Sequence, residues 1–389
     1  MPWNRLVVRE IAVLGAGIMG HGIAELAALS GYNVRLYDIA EHFLRQGMEK
    51  IKWSLSKFVE KGRLSREESS RALERISTHL ELAEAVRGVD FVVEAVPEDL
   101  SLKRRVFADL DRLAPPSAIL ASNTSTLPIS EIGEATTRPE LVVGMHFFNP
   151  PVILPLVEVT AGRRTAPSTV DVTIQLARSM GKEVVVCRKD VPGFIVNRVL
   201  AFIMNEAAWI VERGEAGVLE VDSTCVYKLG LPMGVFELAD FTGVDTTYRV
   251  VESVLGRSGM AGALCPLLRR TYEMGYFGRK TGRGFYQYTG ADWERPPIPR
   301  ELADRVDPVR ILAMGVNAAL WLLRNGVASR DDIEKAIRLG LNYPKGILAF
   351  GEEYGLSRIA ETIRMLSQKY PALSEYYRPE ALLEGSADR

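Results

Sequence analysis

The run Ile11-Ala12-Val13-Leu14-Gly15-Ala16-Gly17-Ile18-Met19-Gly20 constrains this chain more than any other stretch. Four apolar residues break into glycines at G-x-G-x-x-G spacing, and apolar residues then resume at helical spacing through Ala24, Ala27 and Ala28. The pattern predicts a strand, a tight turn and a helix. Gly15 permits the turn, Gly17 lets the backbone approach a pyrophosphate, and Gly20 lets the helix close on the strand. The first N–H groups of the helix, around Ile18 and Met19, then face the phosphates. Glycine turns are common, so the weight falls on Val34-Arg35-Leu36-Tyr37-Asp38, a second strand ending in an acid 18 residues after Gly20. A carboxylate there hydrogen-bonds the adenosine ribose hydroxyls of NAD and repels the extra phosphate of NADP.

At 389 residues the chain is too long for one ordinary core, so two or three domains are expected. With 48 basic and 49 acidic residues the net charge is −1, which gives no global field for nucleic acid or an anionic membrane. No uncharged apolar run approaches the roughly 18 residues of a membrane span. Cys187, Cys225 and Cys265 lack metal-ligand or paired spacing, so no zinc site or disulfide framework is expected, and a reducing cytoplasm fits. The first strand starts within about ten residues of Met1, which leaves no room for a signal or transit peptide.

After Asp38 a polar, helix-prone segment runs from about Glu41 to Arg63. Lys50, Ser54, Lys57 and Lys61 fall on one face of it, either a solvated basic face or a clamp for a phosphorylated ligand handle. Buried strands follow at Val89–Val96, Ala118–Ser122, Leu141–Met145, Leu156–Val159 and Glu183–Cys187, with a helix from about Asp99 to Leu113. Strands alternating with helices imply an α/β Rossmann-like, doubly wound parallel sheet, which binds ligands beyond the carboxyl ends of its strands. Gly15, Asp38, Glu98, Ser125 and His146 all lie at such ends.

Asp190-Val191-Pro192-Gly193 marks a boundary, beyond which the pattern is helical. The last part repeats the middle. A shift of 112 residues superposes Asn205 on Asn317, Trp209 on Trp321, Gly214 on Gly326, Pro232 on Pro344, Gly234 on Gly346 and Gly243 on Gly355. The expected division is therefore a sheet domain over 1–189 and two tandem all-α domains over 190–295 and 300–389. Asn197 maps to Val309, so the second copy lacks the polar residue that heads the first copy's long helix.

Of four histidines, His146 alone sits at a predicted strand end in the crevice. Glu158, on the next strand after the Pro150-Pro151 turn, is placed to return beside the ring. A carboxylate on one imidazole nitrogen fixes the tautomer and leaves the other free to take a proton. The alternative is a hydrogen-bonded structural histidine, and Ser125 and Asn197 read singly are turn or cap residues.

Taken together, Gly15–Gly20, Ser122-Asn123-Thr124-Ser125, His146-Phe147-Phe148-Asn149-Pro150, Leu156-Val157-Glu158-Val159, Pro192-Gly193-Phe194-Ile195-Val196-Asn197-Arg198 and Lys280-Thr281-Gly282-Arg283-Gly284-Phe285-Tyr286 resemble the 3-hydroxyacyl-CoA dehydrogenase family, in order from about residue 9 to 288. The duplicated tail resembles members fused to enoyl-CoA hydratase, although no hydratase-like segment is read here. The terminal Glu384–Arg389 reads as a natural end or as a linker stub.

The resemblance implies that His146 removes the 3-hydroxyl proton as hydride passes to the nicotinamide, that Glu158 orients it, and that Ser125 and Asn197 hold the oxygen. It implies cofactor contacts at Glu98, Lys103, Ser125 and Lys280 and CoA contacts at Ser54, Lys61 and Ser125, with no metal. Short-chain substrates such as 3-hydroxybutyryl-CoA are expected, with functional partnership to an enoyl-CoA hydratase. Single-copy members dimerise through the helical domain. The second copy here suits either a monomer, as an intrachain pseudo-dimer, or a homodimer.

Two other readings compete. A β-hydroxyacid dehydrogenase of the phosphogluconate type would carry a lysine where Asn197 stands. A non-catalytic NAD-binding structural protein would be expected to lose the set His146, Glu158, Ser125 and Asn197, and all four stand.

Overall fold

The computed structural model describes residues 8–289 and 294–384. The start of the chain, on which the expectation of no leader rests, and the tail beyond Glu384 lie outside the described residues. The chain divides into two compact units, Met1–Asp190 and Val191–Arg389.

The first unit runs β1 (Glu10–Leu14), α1 (Ile18–Leu29), β2 (Asn33–Tyr37), α2 (Glu41–Glu60), α3 (Arg66–Glu74), β3 (Ile76–His79), α4 (Leu82–Ala85), β4 (Phe91–Glu94), α5 (Leu100–Leu113), β5 (Ile119–Ser122), α6 (Ile129–Gly133), β6 (Val142–Phe147), β7 (Leu156–Ala161), α7 (Pro167–Ser179) and β8 (Glu183–Cys187). The eight strands form one sheet in the order β3-β2-β1-β4-β5-β6-β7-β8. Ile11 to Leu14 are fully buried, because β1 pairs with β2 on one side and β4 on the other and is covered on both faces. The chain leaves β1 in one direction along the sheet and then in the other. That reversal opens a crevice beyond the carboxyl ends of β1 and β4.

Three features depart from the expected pattern. The sheet is not wholly parallel: β7 pairs antiparallel with β6. The connection from Phe148 to Pro155 is too short for a crossover, so the chain can only return beside itself. The helix α2 ends at Glu60, short of Arg63. Between it and Val89 lie α3, opened by a reciprocal Ser65–Glu68 capping box, and the edge strand β3. The β3 residues Ser77, Thr78 and His79 carry no apolar alternation, so the strand leaves no hydrophobic trace in the sequence.

The second unit contains α8 (Val196–Glu212), α9 (Val218–Tyr227), α10 (Val235–Thr242), α11 (Val244–Arg257), α12 (Pro266–Glu273), α13 (Pro308–Arg324), α14 (Arg330–Gly340), α15 (Ile347–Tyr354), α16 (Leu356–Lys369) and α17 (Ala381–Glu384). The shift of 112 residues carries α8 onto α13, α10 onto α15 and α11 onto α16, end for end. The repeat extends to side chains. Asp222 accepts from the Phe236 and Glu237 amides at the start of α10, and Glu334 accepts from the Leu348 and Ala349 amides at the start of α15. A Cβ on Gly234 or Gly346 would strike that carboxyl at 2.1 or 2.2 Å, which explains why glycine recurs there.

The two copies do not stand apart as separate bodies. They share one unit, in which α8 packs on α13. A Cβ on Gly315 of α13 would lie 2.4 Å from Ile203 of α8, so the close helix contact requires glycine.

Candidate active site

The glycine turn is built as its spacing predicts. Gly15 has φ of 97°, and a Cβ on it would approach the Ala95 carbonyl oxygen at 2.7 Å. A Cβ on Gly20 would lie 1.7 Å from the Gly15 carbonyl oxygen, so α1 can close on the turn only with glycine there. A Cβ on Gly17 would meet nothing within 4 Å. That open side leaves room for a ligand to come against the backbone. Gly17 is also the N-cap of α1 and brings no side-chain acceptor, so the first N–H groups of a 12-residue helix keep no side-chain cap. Ile18, the first helical residue, is 64% exposed, and Met19 is half-buried. Asp38 lies just past β2, and its carboxylate accepts from the Ala16 amide at 2.7 Å and the Ile39 amide at 2.7 Å. The acid is thereby fixed against the turn that would hold a dinucleotide. The residues fit NAD.

His146 is the penultimate residue of β6 and lies directly opposite Glu158 of β7 in the antiparallel register. His146 Nδ1 is 2.8 Å from Glu158 Oε2, and Glu158 is fully buried. In a neutral ring that donates its Nδ1 hydrogen to this carboxylate, the lone pair is on Nε2. That nitrogen is 3.2 Å from the Ser125 hydroxyl, and the Phe148 ring lies against the imidazole with centroids 4.6 Å apart.

Ser125 is placed by Glu98, whose Oε1 accepts from the Ser125 amide at 2.9 Å, the Thr126 amide at 3.2 Å and the Thr124 hydroxyl at 2.6 Å. Lys103, in the first turn of α5, reaches Glu98 at 3.3 Å and Glu94 at 2.6 Å and donates to the Val96 carbonyl. The carboxyl ends of β4, β5 and β6 and the amino-terminal half of the antiparallel β7 are thus linked by one run of polar contacts.

Three expected site residues take parts that the sequence did not indicate. Lys103 is 1% exposed and its ammonium is occupied by Glu94 and Glu98, so what it does in this structure is hold Glu98 in place and not face an open crevice. Ser54, expected to face CoA, gives its hydroxyl to Glu25 at 2.7 Å, while Lys61 is exposed at the end of α2. Lys280, in the second unit, is held by Asp245 at 2.7 Å. Its glycine-rich segment wraps Asp240, which accepts from the Phe285 and Tyr286 amides and the Tyr288 hydroxyl. Asn197 stands in the first turn of α8, and its counterpart Val309 is fully buried.

Glu94 and Glu25 belong to no motif in the sequence, and Asn123 stands there only as part of Ser122–Ser125. Glu94 accepts from Ser122 at 2.6 Å, and the Asn123 side chain accepts from the Phe147 amide at 2.9 Å, tying β5 to β6 beside His146. An acid closing the apolar run Phe91-Val92-Val93 was the available signal for Glu94. Among the described residues, no group of three or more His, Cys, Asp or Glu side chains could hold a metal ion, and no helix is long and apolar enough to cross a membrane.

Comparison with known proteins bears on the same features. Residues 10–191 match the family model described as 3-hydroxyacyl-CoA dehydrogenase, NAD binding domain. Residues 193–288 and again 309–388 match its C-terminal domain, which accords with the internal repeat. A probable 3-hydroxybutyryl-CoA dehydrogenase of Bacillus subtilis is 43% identical over 286 residues, covering 72% of this chain and 98% of that protein. A 3-hydroxyadipyl-CoA dehydrogenase of Escherichia coli is 31% identical and covers 98% of both chains. The crystal structure of a 3-hydroxybutyryl-CoA dehydrogenase from Escherichia coli superposes with a TM-score of 0.87 at 30% identity, over 97% of this chain and 98% of that one. The chain belongs to the 3-hydroxyacyl-CoA dehydrogenase family and is an NAD-dependent oxidoreductase.

Proposed function

We propose that this enzyme oxidises short-chain (S)-3-hydroxyacyl-CoA to 3-oxoacyl-CoA, reversibly, with His146 as the base. The observation that carries this reading is the His146–Glu158 pair at the end of β6, in the same unit as the glycine turn. With Nδ1 engaged by Glu158, Nε2 is the atom that takes the 3-hydroxyl proton, and the buried carboxylate stabilises the imidazolium that results. Bound NAD supplies the hydride acceptor. Ser125, next to Nε2, and Asn197 hold the reacting oxygen. In the reducing direction protonated His146 returns the proton. The short-chain assignment is supported by the 3-hydroxybutyryl-CoA names of two of the proteins compared.

Gly15, Gly17, Ile18, Met19, Gly20, Asp38, Glu98, Ser125 and Lys280 are assigned to NAD, with Lys103 acting through Glu98. Ser54, Lys61 and Ser125 are assigned to the CoA portion. The helical halves 190–295 and 300–389 are assigned as two domains of common ancestry, with one active site per chain and the second half in the place of a dimer partner. An enoyl-CoA hydratase would supply the substrate, and the three buried, unpaired cysteines suit a cytoplasmic setting.

The test is NADH oxidation with acetoacetyl-CoA, followed by absorbance. Wild type should turn over and His146→Gln should lose about a thousandfold in kcat while binding NADH as before. Equal rates would remove His146 from the chemistry. Substrates from C4 to C16 compared by kcat/KM would test chain length, and light scattering on the eluting protein would test the monomer.

A further inference from the structure

Glu25 is a buried carboxyl that the proposed reaction does not use. It lies on α1, is 1% exposed, and among the described residues no cation pairs with it. Its hydrogen-bond partner is Ser54 on α2, at 2.7 Å. Burial pushes the Glu25 carboxyl up to about 7, with the Ser54 hydrogen bond acting in the other direction. The charged groups on the facing surfaces are few. His21 stands one turn earlier on α1 and interacts with Lys50. On α2, Lys50 and Lys57 flank Ser54, and Lys57 is held by Glu60 at 2.7 Å. The half-buried and buried positions of α3 are Ser69, Ala72 and Leu73, which carry no charge. From the sheet, the side packed on α1 is apolar through Ile11, Val13, Val34 and Leu36.

A serine hydroxyl has one proton to donate. Beside ionised Glu25 that proton goes to the carboxylate, and Ser54 turns only lone pairs outward, which repel an anionic oxygen. When Glu25 carries a proton it becomes the donor, and the Ser54 hydrogen is released toward the basic face of Lys50, Lys57 and Lys61. We propose that Glu25 sets the direction of the Ser54 hydroxyl, so that an anionic phosphate oxygen of a CoA thioester is bound at Ser54 together with one proton taken up by Glu25. The proposal rests on the reading of Ser54 as a CoA contact. Glu25 is a positioning residue in it, acting through Ser54, and the coupling makes CoA affinity fall as pH rises.

The experiment is calorimetric titration of CoA into the NAD-loaded enzyme, in pairs of buffers that differ in ionisation enthalpy, to count protons taken up on binding. Relative to Glu25→Gln, wild type should take up little at pH 6, about half a proton at pH 7 and more at pH 8. Protons that belong to CoA itself cancel in this difference. The wild-type KM for acetoacetyl-CoA should rise about tenfold more between pH 6 and pH 8 than that of Glu25→Gln, with the KM for NADH following the same course in both. Equal proton counts in wild type and Glu25→Gln overturn the coupling. Ser54→Ala separates the two readings. If it binds CoA as wild type does at pH 6, the CoA contact at Ser54 fails and takes the proposal with it. If it binds CoA more weakly while the proton counts of wild type and Glu25→Gln agree, only the role of Glu25 fails.

Discussion

Lys103 and Glu94 form an ion pair at 2.6 Å in which the two side chains are 1% and 0% exposed. The same ammonium reaches Glu98, and Glu98 fixes the backbone of Ser125. The surroundings of His146 are therefore tied to a buried charge on another element.

Removal of that charge should be costly. Lys103→Met leaves the Glu94 carboxylate buried without its cation, so urea unfolding should show a loss of about 3–5 kcal/mol. Adding Glu94→Gln removes the uncompensated charge, and the double variant should recover most of the loss. A single variant as stable as wild type would mean that the buried pair contributes nothing to stability.

Glu158→Gln should lower kcat by roughly a hundredfold to ten-thousandfold and change the binding of NADH little. The amide can offer Nδ1 either its oxygen or its NH2 group, and it carries no charge to stabilise the imidazolium. A kcat within threefold of wild type would show that Glu158 only packs beside the ring.

The buried Glu25 carboxyl makes stability depend on pH. It holds its proton up to about 7 in the folded protein, against 4.5 as the ordinary value. Between those values the folded state binds more protons than the unfolded one, so the contribution is fully present below 4.5 and is lost as pH rises through about 7. The loss has a ceiling of roughly 3 kcal/mol. Thermal unfolding of Glu25→Gln should therefore exceed wild type at pH 8, by an advantage that shrinks at pH 5. An advantage independent of pH would point to packing and not to the proton.

The internal repeat predicts matched losses. Asn205 donates to the Ala263 carbonyl and accepts from the Cys265 amide, each at 2.9 Å. Asn317 does the same for Arg378 and Glu380, at 2.9 and 2.8 Å. Asn205 is fully buried and Asn317 is 8% exposed. Asn205→Ala should cost about 2–3 kcal/mol and Asn317→Ala somewhat less, measured by chemical denaturation. A neutral result at both positions would mean that the loops rearrange to bond elsewhere.

The strand-turn-helix at Gly15–Gly20, the acid after β2, the pairing of His146 with Glu158 and the helical repeat were all legible in the residues. Each is fixed by local chemistry: glycine where a Cβ would strike backbone, apolar runs where strands are covered on both faces, and a return too short for a crossover. The edge strand β3 was not legible, because an edge with one solvated side needs no hydrophobic alternation. Nor were the orientations of Lys103 and Ser54. The family resemblance implies a cofactor contact for one and a CoA contact for the other, and only tertiary packing brought Glu94 and Glu25 near enough to claim the ammonium and the hydroxyl. A polar side chain turns to whichever partner folding places within reach, and for these two residues that partner lies on another element, beyond the range of any local pattern.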